Sequence, residues 1–334
     1  MIKHPTEKKE ITMPEISVVI PLYNKRDTIN RCIDSVLAQT VQDIEIIVIF
    51  LPRKDMDNED SDEKVAQYRD ERIRLMHQEN KGVSAARNQG VKAARADLIA
   101  FIDADDEWTP KHLETLLRLR EKFPEAGTYG TATLITNGVR TERIECHPEI
   151  PDEPWEGLIP NYWKAAHRKY FPIISTSNVA VPRDVLIEMD GFNTGLSKGE
   201  DLDLWGRIAV KYPIAFSWDG KGVYHTESPS RLTDERDRAM EMPSSIVVQA
   251  RKALKAGEIP SHLRADILRH IENIQIDTAW INLKNGRPDL AKKNIKDIET
   301  RYRWAAQNWT LFWTFVPKVM FDRIFRAFSK VLRK

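Results

Sequence analysis

Apolar positions in the first hundred residues follow two alternating periods. Ile16-Ser17-Val18-Val19-Ile20 is a short β-branched run ended by Pro21. Glu45-Ile46-Ile47-Val48-Ile49-Phe50, Arg72-Ile73-Arg74-Leu75-Met76 and Asp97-Leu98-Ile99-Ala100-Phe101-Ile102 are three more such runs. Between the first two, Ile29, Cys32, Ile33, Val36 and Leu37 recur at i, i+3, i+4, i+7 and i+8, the stripe of an amphipathic helix. The pattern predicts further helices over 62–69 and 84–95, the latter with Val83, Ala86, Gly90, Val91 and Ala94 on one side. Strands recurring roughly every 25 to 30 residues with helices between them mean βαβ units and a mainly parallel sheet. Strands this continuously apolar fit a sheet covered on both faces. Beyond it, a helix is predicted over 112–123 and a strand over 130–136. An irregular stretch with Pro148, Pro151, Pro154 and Pro160 follows, and a strand returns over 173–182. From about residue 234 the chain reads as helical, over 244–256, 261–285 and 290–301, with breaks at Gly257, Pro260, Gly286 and Pro288.

Composition narrows the class. Of 334 residues, 41% are apolar and 30% charged, an ordinary globular balance that excludes a disordered, collagen-like or multi-span membrane chain. Cys32 and Cys146 cannot build a disulfide scaffold, and no Cys/His cluster has zinc spacing, so a reducing compartment is expected. The start, MIKHPTEKKEITMPE, lacks the apolar core of a signal peptide. No apolar run approaches the ~20 residues of a membrane span.

A net charge of +1 hides an asymmetry. Residues 301–334 hold eight basic residues against one acid, Asp322, and nine of the 28 aromatic residues. From Phe321, a helical wheel puts Phe321, Ile324, Phe325, Phe328, Val331 and Leu332 on one arc. Arg323, Arg326, Lys330, Arg333 and Lys334 fall opposite. A basic amphipathic segment with aromatics fits an anionic membrane surface; alternatively its apolar arc packs on the rest of the protein. Nucleic acid is not expected as a partner, because the rest of the chain is acidic and carries no recognition motif.

In a parallel sheet, ligands bind beyond the carboxyl ends of the strands. Three such ends carry polar chemistry: Pro21-Leu22-Tyr23-Asn24, the acidic loop from Arg53 to Asp60, and Asp103-Ala104-Asp105-Asp106. Asp103 and Asp105 are two apart, so in an extended chain both side chains point one way. Crowded carboxylates of this kind suit a hard cation such as Mg²⁺ or Mn²⁺ with open positions for phosphate oxygens. They equally suit an N-cap for the helix starting near Pro110. No Walker loop, G-x-G-x-x-G, H-E-x-x-H or G-x-S-x-G competes.

Four segments occur in order: SVVIPLYN (17–24), NKGVSAARNQG (80–90), LIAFIDADDEW (98–108) and GFNTGLSKGEDLDLWGR (191–207). Together, over roughly 14–232, they resemble family 2 glycosyltransferases. The resemblance implies a GT-A fold, an α/β, Rossmann-like, mainly parallel sheet, here with a C-terminal α-helical extension. The expected organisation is a polar tail (1–13), a GT-A-like catalytic domain (14–235), a helical extension (236–302) and a basic aromatic segment (303–334).

The implied activity is inverting transfer of a sugar from a nucleotide-sugar to an acceptor hydroxyl, with Mn²⁺ or Mg²⁺ as cofactor. Pro21, Tyr23 and Asn24 match residues around the nucleotide's base and ribose. Arg87 and Asn88 match a segment lining the donor site, where Arg87 could contact the diphosphate or sit on a solvated helix face. Asp103 and Asp105 match the D-x-D element that meets ribose, metal and diphosphate, with Asp105 the first metal ligand. Glu200-Asp201 matches an E-D pair whose Asp resembles the catalytic base; Glu200 and Trp205 would support the acceptor side. Leu204, Trp205, Ile208 and Ala209 also read as the core side of their helix. His225 sits where related enzymes place a third metal ligand, or is an ordinary surface or core histidine. Trp155, Tyr162, Trp163 and Tyr170 are expected in the core for the most part, although such aromatics can stack on acceptor sugars.

One departure stands out. Where the family has D-D-G-S after the second strand, this chain has Phe50-Leu51-Pro52-Arg53, followed by about four extra residues. An insertion could bring Asp55, or Asp57, into register. A UDP-sugar is the foremost donor, and a glycan or lipid-linked sugar the acceptor, at the inner face of the cell membrane. The alternative is a non-catalytic sugar-nucleotide-binding or scaffold protein with a degenerate nucleotide site.

Overall fold

The computed structural model describes residues 13–52, 61–143, 149–166, 172–196, 199–227 and 245–321. The first half is a β/α alternation of β1 (Ile16–Leu22), α1 (Ile29–Leu37), β2 (Ile44–Phe50), α2 (Ser61–Ala66), β3 (Ile73–His77), α3 (Val83–Ala93) and β4 (Leu98–Phe101). A short β5 (Glu107–Trp108) and α4 (His112–Lys122) precede β6 (Thr128–Thr136) and the small strands β7 (Thr141–Arg143) and β8 (Glu156–Leu158). Then come α5 (Tyr162–Ala165), a 3-10 turn (Thr176–Asn178), β9 (Val179–Pro182), α6 (Arg183–Glu188), α7 (Glu200–Lys211) and β10 (Ile214–His225). The last described elements are α8 (Ser245–Ala256), α9 (Arg264–Lys284), α10 (Pro288–Lys296) and α11 (Trp304–Trp313).

One sheet runs β3-β2-β1-β4-β9-β6-β10-β5, with β7 on β6 and β8 on β10. The pairs β3-β2, β2-β1, β1-β4 and β6-β10 are parallel; β9 is antiparallel to both β4 and β6. Strand order reverses beside β1: the chain moves outward to β3, then returns to place β4 on the other side. The cleft between the β1 and β4 carboxyl ends is therefore the topological switch point. Pro21 fits inside a central strand because its missing N–H falls past Phe101, the last β4 residue in register with β1.

The period of two sorts the strands onto two cores. Val19, Ile47, Ile49 and Phe101 face α3 and α7 with Trp205 and Ile208. Val18, Ile20, Ile46, Val48 and Ala100 face α1 and α4 with Ile33, Val36, Leu113 and Leu116. Glu45, fully buried in this apolar strand, is satisfied at the opposite end of the sheet from the switch point. It accepts from Ser17 Oγ (2.7 Å), Arg95 N (2.6 Å), Arg95 Nε (2.9 Å) and Arg74 Nη1 (2.8 Å). Despite burial, these bonds hold its carboxyl below the usual range.

Gly90 lets α3 press against β1, since a Cβ there would lie 2.3 Å from Val19 Cγ1. Gly90→Val is expected to cost about 1–3 kcal/mol through overpacking. A lower urea midpoint with an unchanged slope is the readout.

α8 packs on α7, and α9 on α5. Ile246, Val247, Ala250, Ile267 and Ile271 join the same core as Phe101 and Trp205. A separate small core of Ile276, Ala279, Leu283, Ala291, Ile295, Trp313 and Phe321 ties α9, α10 and α11 together. Two expectations are refined. The return over 173–182 is a 3-10 turn followed by a strand of four residues. The Asp pair before α4 does not cap it: Lys111 stands at the N-cap with no side-chain bond. The tail 1–12 and residues 322–334 lie outside the described residues, as does Tyr170. Trp163 is fully buried and Tyr162 nearly so, as core residues.

Candidate active site

The ends of β1 and β4 meet because the two strands pair in parallel. After β1, Tyr23 is 44% exposed, and Asn24 turns the chain with φ 51°. Lys25 then reaches across, its Nζ 2.7 Å from Asp105 Oδ2. From α1, Arg31 Nη2 donates to the Asp105 carbonyl oxygen at 2.6 Å, fixing the backbone just after Asp105.

Arg87 comes from the second turn of α3, is buried, and bridges two elements far apart in sequence. Its Nη2 lies 2.7 Å from Asp103 Oδ1 and its Nη1 2.8 Å from Glu200 Oε1. The guanidinium also sits 5.2 Å from the centroid of Phe192. Burial alone would make Arg87 easier to deprotonate; Asp103 and Glu200 reverse that and raise its pKa above the ordinary value.

α7 begins after Gly199, whose φ of 73° suits glycine, and opens with Glu200, Asp201 and Asp203. Acids in this first turn favour the positive end of the helix dipole. Asp201 accepts from Leu202 N at 2.8 Å. Burial and the adjacent Glu200 push its carboxyl up to about 6, against the pull of Arg87. Trp205 is fully buried and stacks edge-on with Phe192 at 6.0 Å, so it supports α7 from beneath and cannot touch an acceptor. This corrects its expected place on the acceptor side.

Asn88 closes a clamp rather than opening toward the cleft. Its Nδ2 donates to Phe192 O (2.8 Å) and its Oδ1 accepts from Phe192 N (2.8 Å). Gly191, with φ 62°, is required beside it, because a Cβ would stand 2.4 Å from Asn88 Oδ1. Arg207 Nη2 adds a bond to Gly191 O at 2.8 Å. The loop leading to α7 is thus tied at its base. Pro21 is buried in β1.

Asp106 was visible in the sequence only as part of an acidic run. Buried, it accepts from Ser177 Oγ (2.5 Å) and His225 N (3.3 Å), stitching the 3-10 turn before β9, and β10, to the β4 end. Burial, with Asp105 and Asp103 nearby, pushes its carboxyl well above the usual range. His225 faces Glu227 (Nδ1–Oε1, 2.6 Å) and Glu107 (Nε2–Oε1, 3.2 Å). Among the described residues, no three His, Cys, Asp or Glu side chains gather as a preformed metal cage. His225 therefore does not join Asp103 and Asp105 in such a cage. The donor set still suits a hard cation. Asp103 and Asp105 carry the oxygen atoms such an ion would need, and Mg²⁺-type ions commonly take one or two carboxylates and complete their shell with phosphate and water. Asp55 and Asp57 lie outside the described residues.

Lys25, Arg31 and Ser177 are the neighbours that sequence reading missed. Lys25 stands one residue past the SVVIPLYN segment, which is the one signal that could have found it.

Residues 17–171 match the model for glycosyl transferase family 2. An uncharacterized glycosyltransferase of Rickettsia felis is 29% identical over 237 residues, 69% of this chain and 38% of its own length. EpsJ, an uncharacterized glycosyltransferase of Bacillus subtilis, is 46% identical over 94 residues, 28% of this chain and 27% of its own. This chain thus spans well under half the length of these relatives. Among solved structures, S. aureus TarS 1-349 in complex with UDP-GlcNAc aligns with a TM-score of 0.57 at 14% identity, over 87% of this chain and 92% of its own. The mannosyltransferase PcManGT from Pyrobaculum calidifontis, in complex with GDP-Man and Mn2+, aligns at 0.58 and 17% identity, over 92% and 88%. Over residues 17–171 the chain thus matches glycosyltransferase family 2, and it carries the GT-A fold.

Proposed function

We propose that this protein is a metal-dependent, inverting glycosyltransferase that moves a sugar from a nucleotide-sugar to an acceptor hydroxyl. The observation that carries this reading is the Arg87 bridge. It holds Asp103, at the donor end of the sheet, against Glu200, the neighbour of Asp201. A candidate donor-binding residue and the neighbour of the candidate base are thereby set on one guanidinium.

Asp201 takes the proton from the acceptor hydroxyl as that oxygen attacks the anomeric carbon. A carboxyl near 6 is a stronger base than an ordinary one and is still ionised at neutral pH. Attack from the face opposite the leaving group inverts the anomeric centre in one displacement. Asp105 with Asp103, and His225 if it releases Glu107, would hold Mn²⁺ or Mg²⁺, which when bound offsets the charge of the departing nucleotide diphosphate. Tyr23 and Asn24 border the nucleotide, with Asp55 or Asp57 as base contacts. Arg87 and Lys25 orient Asp103 and Asp105.

A UDP-sugar is the first donor to test, in keeping with TarS, whose complexes hold UDP-GlcNAc and UDP; PcManGT, with GDP-Man, keeps a GDP-sugar in the panel. A glycan or lipid-linked sugar is the acceptor, in polysaccharide assembly at the inner face of the cell membrane, with the protein peripheral to it.

The test is nucleotide release from UDP-, GDP-, dTDP- and CMP-sugars with Mn²⁺, Mg²⁺ or EDTA. Release from one donor, stopped by EDTA and lost in Asp105→Ala, is expected. Absence of both release and nucleotide binding would favour a scaffold, whose motive is the departure after β2.

A further inference from the structure

α11 is an aromatic helix with two faces. Trp313 turns inward, meeting Phe321 at 5.5 Å, and Phe321 meets Trp280 of α9 at 6.2 Å; Thr310 is buried beside them. Trp304, Asn308, Trp309 and Phe312, at i, i+4, i+5 and i+8, turn outward. Trp304 is 60% exposed, and Trp309 and Phe312 are 56% exposed each. Trp309 and Phe312 stack on one another at 6.0 Å. Phe315, Val319 and Met320 continue this exposed surface past the helix end, and Lys292 Nζ lies 4.4 Å over the Phe315 ring.

Exposed tryptophans and phenylalanines in one patch are costly in water and match the headgroup boundary of a bilayer, where amphipathic rings concentrate. The charge of the sequence that contains the patch favours the same occupant. Residues 301–334 hold Arg301, Arg303, Lys318, Arg323, Arg326, Lys330, Arg333 and Lys334 against Asp322 alone. A second copy of this chain would bring its own seven net positive charges against these, whereas an anionic leaflet complements them. No described helix is long and apolar enough to cross a membrane, so the contact is one of lying on the surface.

We infer that the outward face of α11, with Phe315, is an interfacial membrane-binding surface for anionic lipid. It works together with the described basic residues that flank it in sequence, Arg301, Arg303 and Lys318. This rests on the peripheral reading above and names the surface that performs it. Trp313 anchors the face to the α9–α10 pair, so the membrane holds the folded protein by a rigid contact.

The test is co-sedimentation of the full chain with vesicles of phosphatidylcholine, alone or equimolar with phosphatidylglycerol. The wild type is compared with a Trp309→Ser, Phe312→Ser, Phe315→Ser variant. All three side chains are exposed, and an unchanged far-ultraviolet circular dichroism spectrum with a retained cooperative thermal transition checks that the fold is intact. Donor hydrolysis is followed alongside and is expected to be unchanged. The wild type should bind the anionic vesicles, more weakly in high salt, and the variant should bind them roughly tenfold or more weakly. Equal binding by both forms would overturn the α11 assignment and leave the peripheral reading standing. No binding by the wild type would overturn both. A concentration-dependent dimer of the wild type, lost in the variant without any vesicle binding, would assign the patch to a second copy instead.

Discussion

Asp201→Asn is expected to lower transfer by about 10²–10⁴-fold, the range that general base catalysis supplies. Nucleotide binding, measured calorimetrically with the same metal, should change little, because Asp201 bonds Leu202 N and the donor elements lie across Arg87. The pH dependence gives an independent readout. Asp201 acts in its ionised form, and burial beside Glu200 brings its pKa to about 6. Activity should therefore be full above that value and fall about tenfold per pH unit below it. An ordinary aspartate would place the limb near 4. The residual activity of the Asn variant should lack this limb. Near-normal turnover in that variant would sink the assignment of Asp201 as the base.

Arg87→Leu should be the most damaging single change for the fold around the site. It leaves Asp103 and Glu200 facing one another with their shared cation gone. Breaking a buried pair by removing one partner costs about 3–5 kcal/mol. Asp103 keeps 36% of its side chain exposed, which places the loss toward the lower end, about 3 kcal/mol. In a chain of 334 residues that is a fall of roughly 4 °C in thermal midpoint. Arg87→Lys keeps the charge but cannot fork to both carboxylates, so it should recover part of the stability. A catalytic effect separates from the structural one. Arg87 draws the Asp201 pKa down, so its removal should move the acid limb to higher pH, while Arg87→Lys should leave the limb near its original place. A limb unmoved in Arg87→Leu would show that the guanidinium does not govern the base.

Much of the β/α alternation was legible because it is written in local period. α1 spans the residues its apolar stripe marked, and β2 and α4 fall within a residue of their expected limits. β10, the longest strand, was missed because Asp219-Gly220-Lys221 breaks its alternation. There the register to β6 shifts between Ser217 and Gly222. The Glu200–Asp201 helix was read with its buried side correct, since Leu204, Trp205, Ile208 and Ala209 follow helical spacing. What a linear reading could not supply was who meets whom across the fold. Asn88 and Phe192 are 104 positions apart, and Arg87 and Glu200 are 113 apart. Nothing local in A-R-N separates a side chain that lines a cleft from one that clamps a loop. Asp106 illustrates the same limit, since only the packing of β9 and β10 tells a structural acid from a capping one.

The shared core of α7, α8 and the first half of α9 bears on how such enzymes are diversified. Ile246, Val247 and Ala250 of α8, with Ile267 and Ile271 of α9, pack into the layer that also holds Trp205 and Phe101. The helical extension is therefore no exchangeable cassette joined at residue 236. Cutting or swapping the chain there would strip the underside of α7, the helix that presents Asp201, and expose apolar surface. A recombination point that preserves the catalytic layer lies farther along, within or after α9, where its contacts pass to the separate core around Trp313. An exchange confined to α10 and α11 would leave the layer beneath α7 intact, because those helices pack on the separate core.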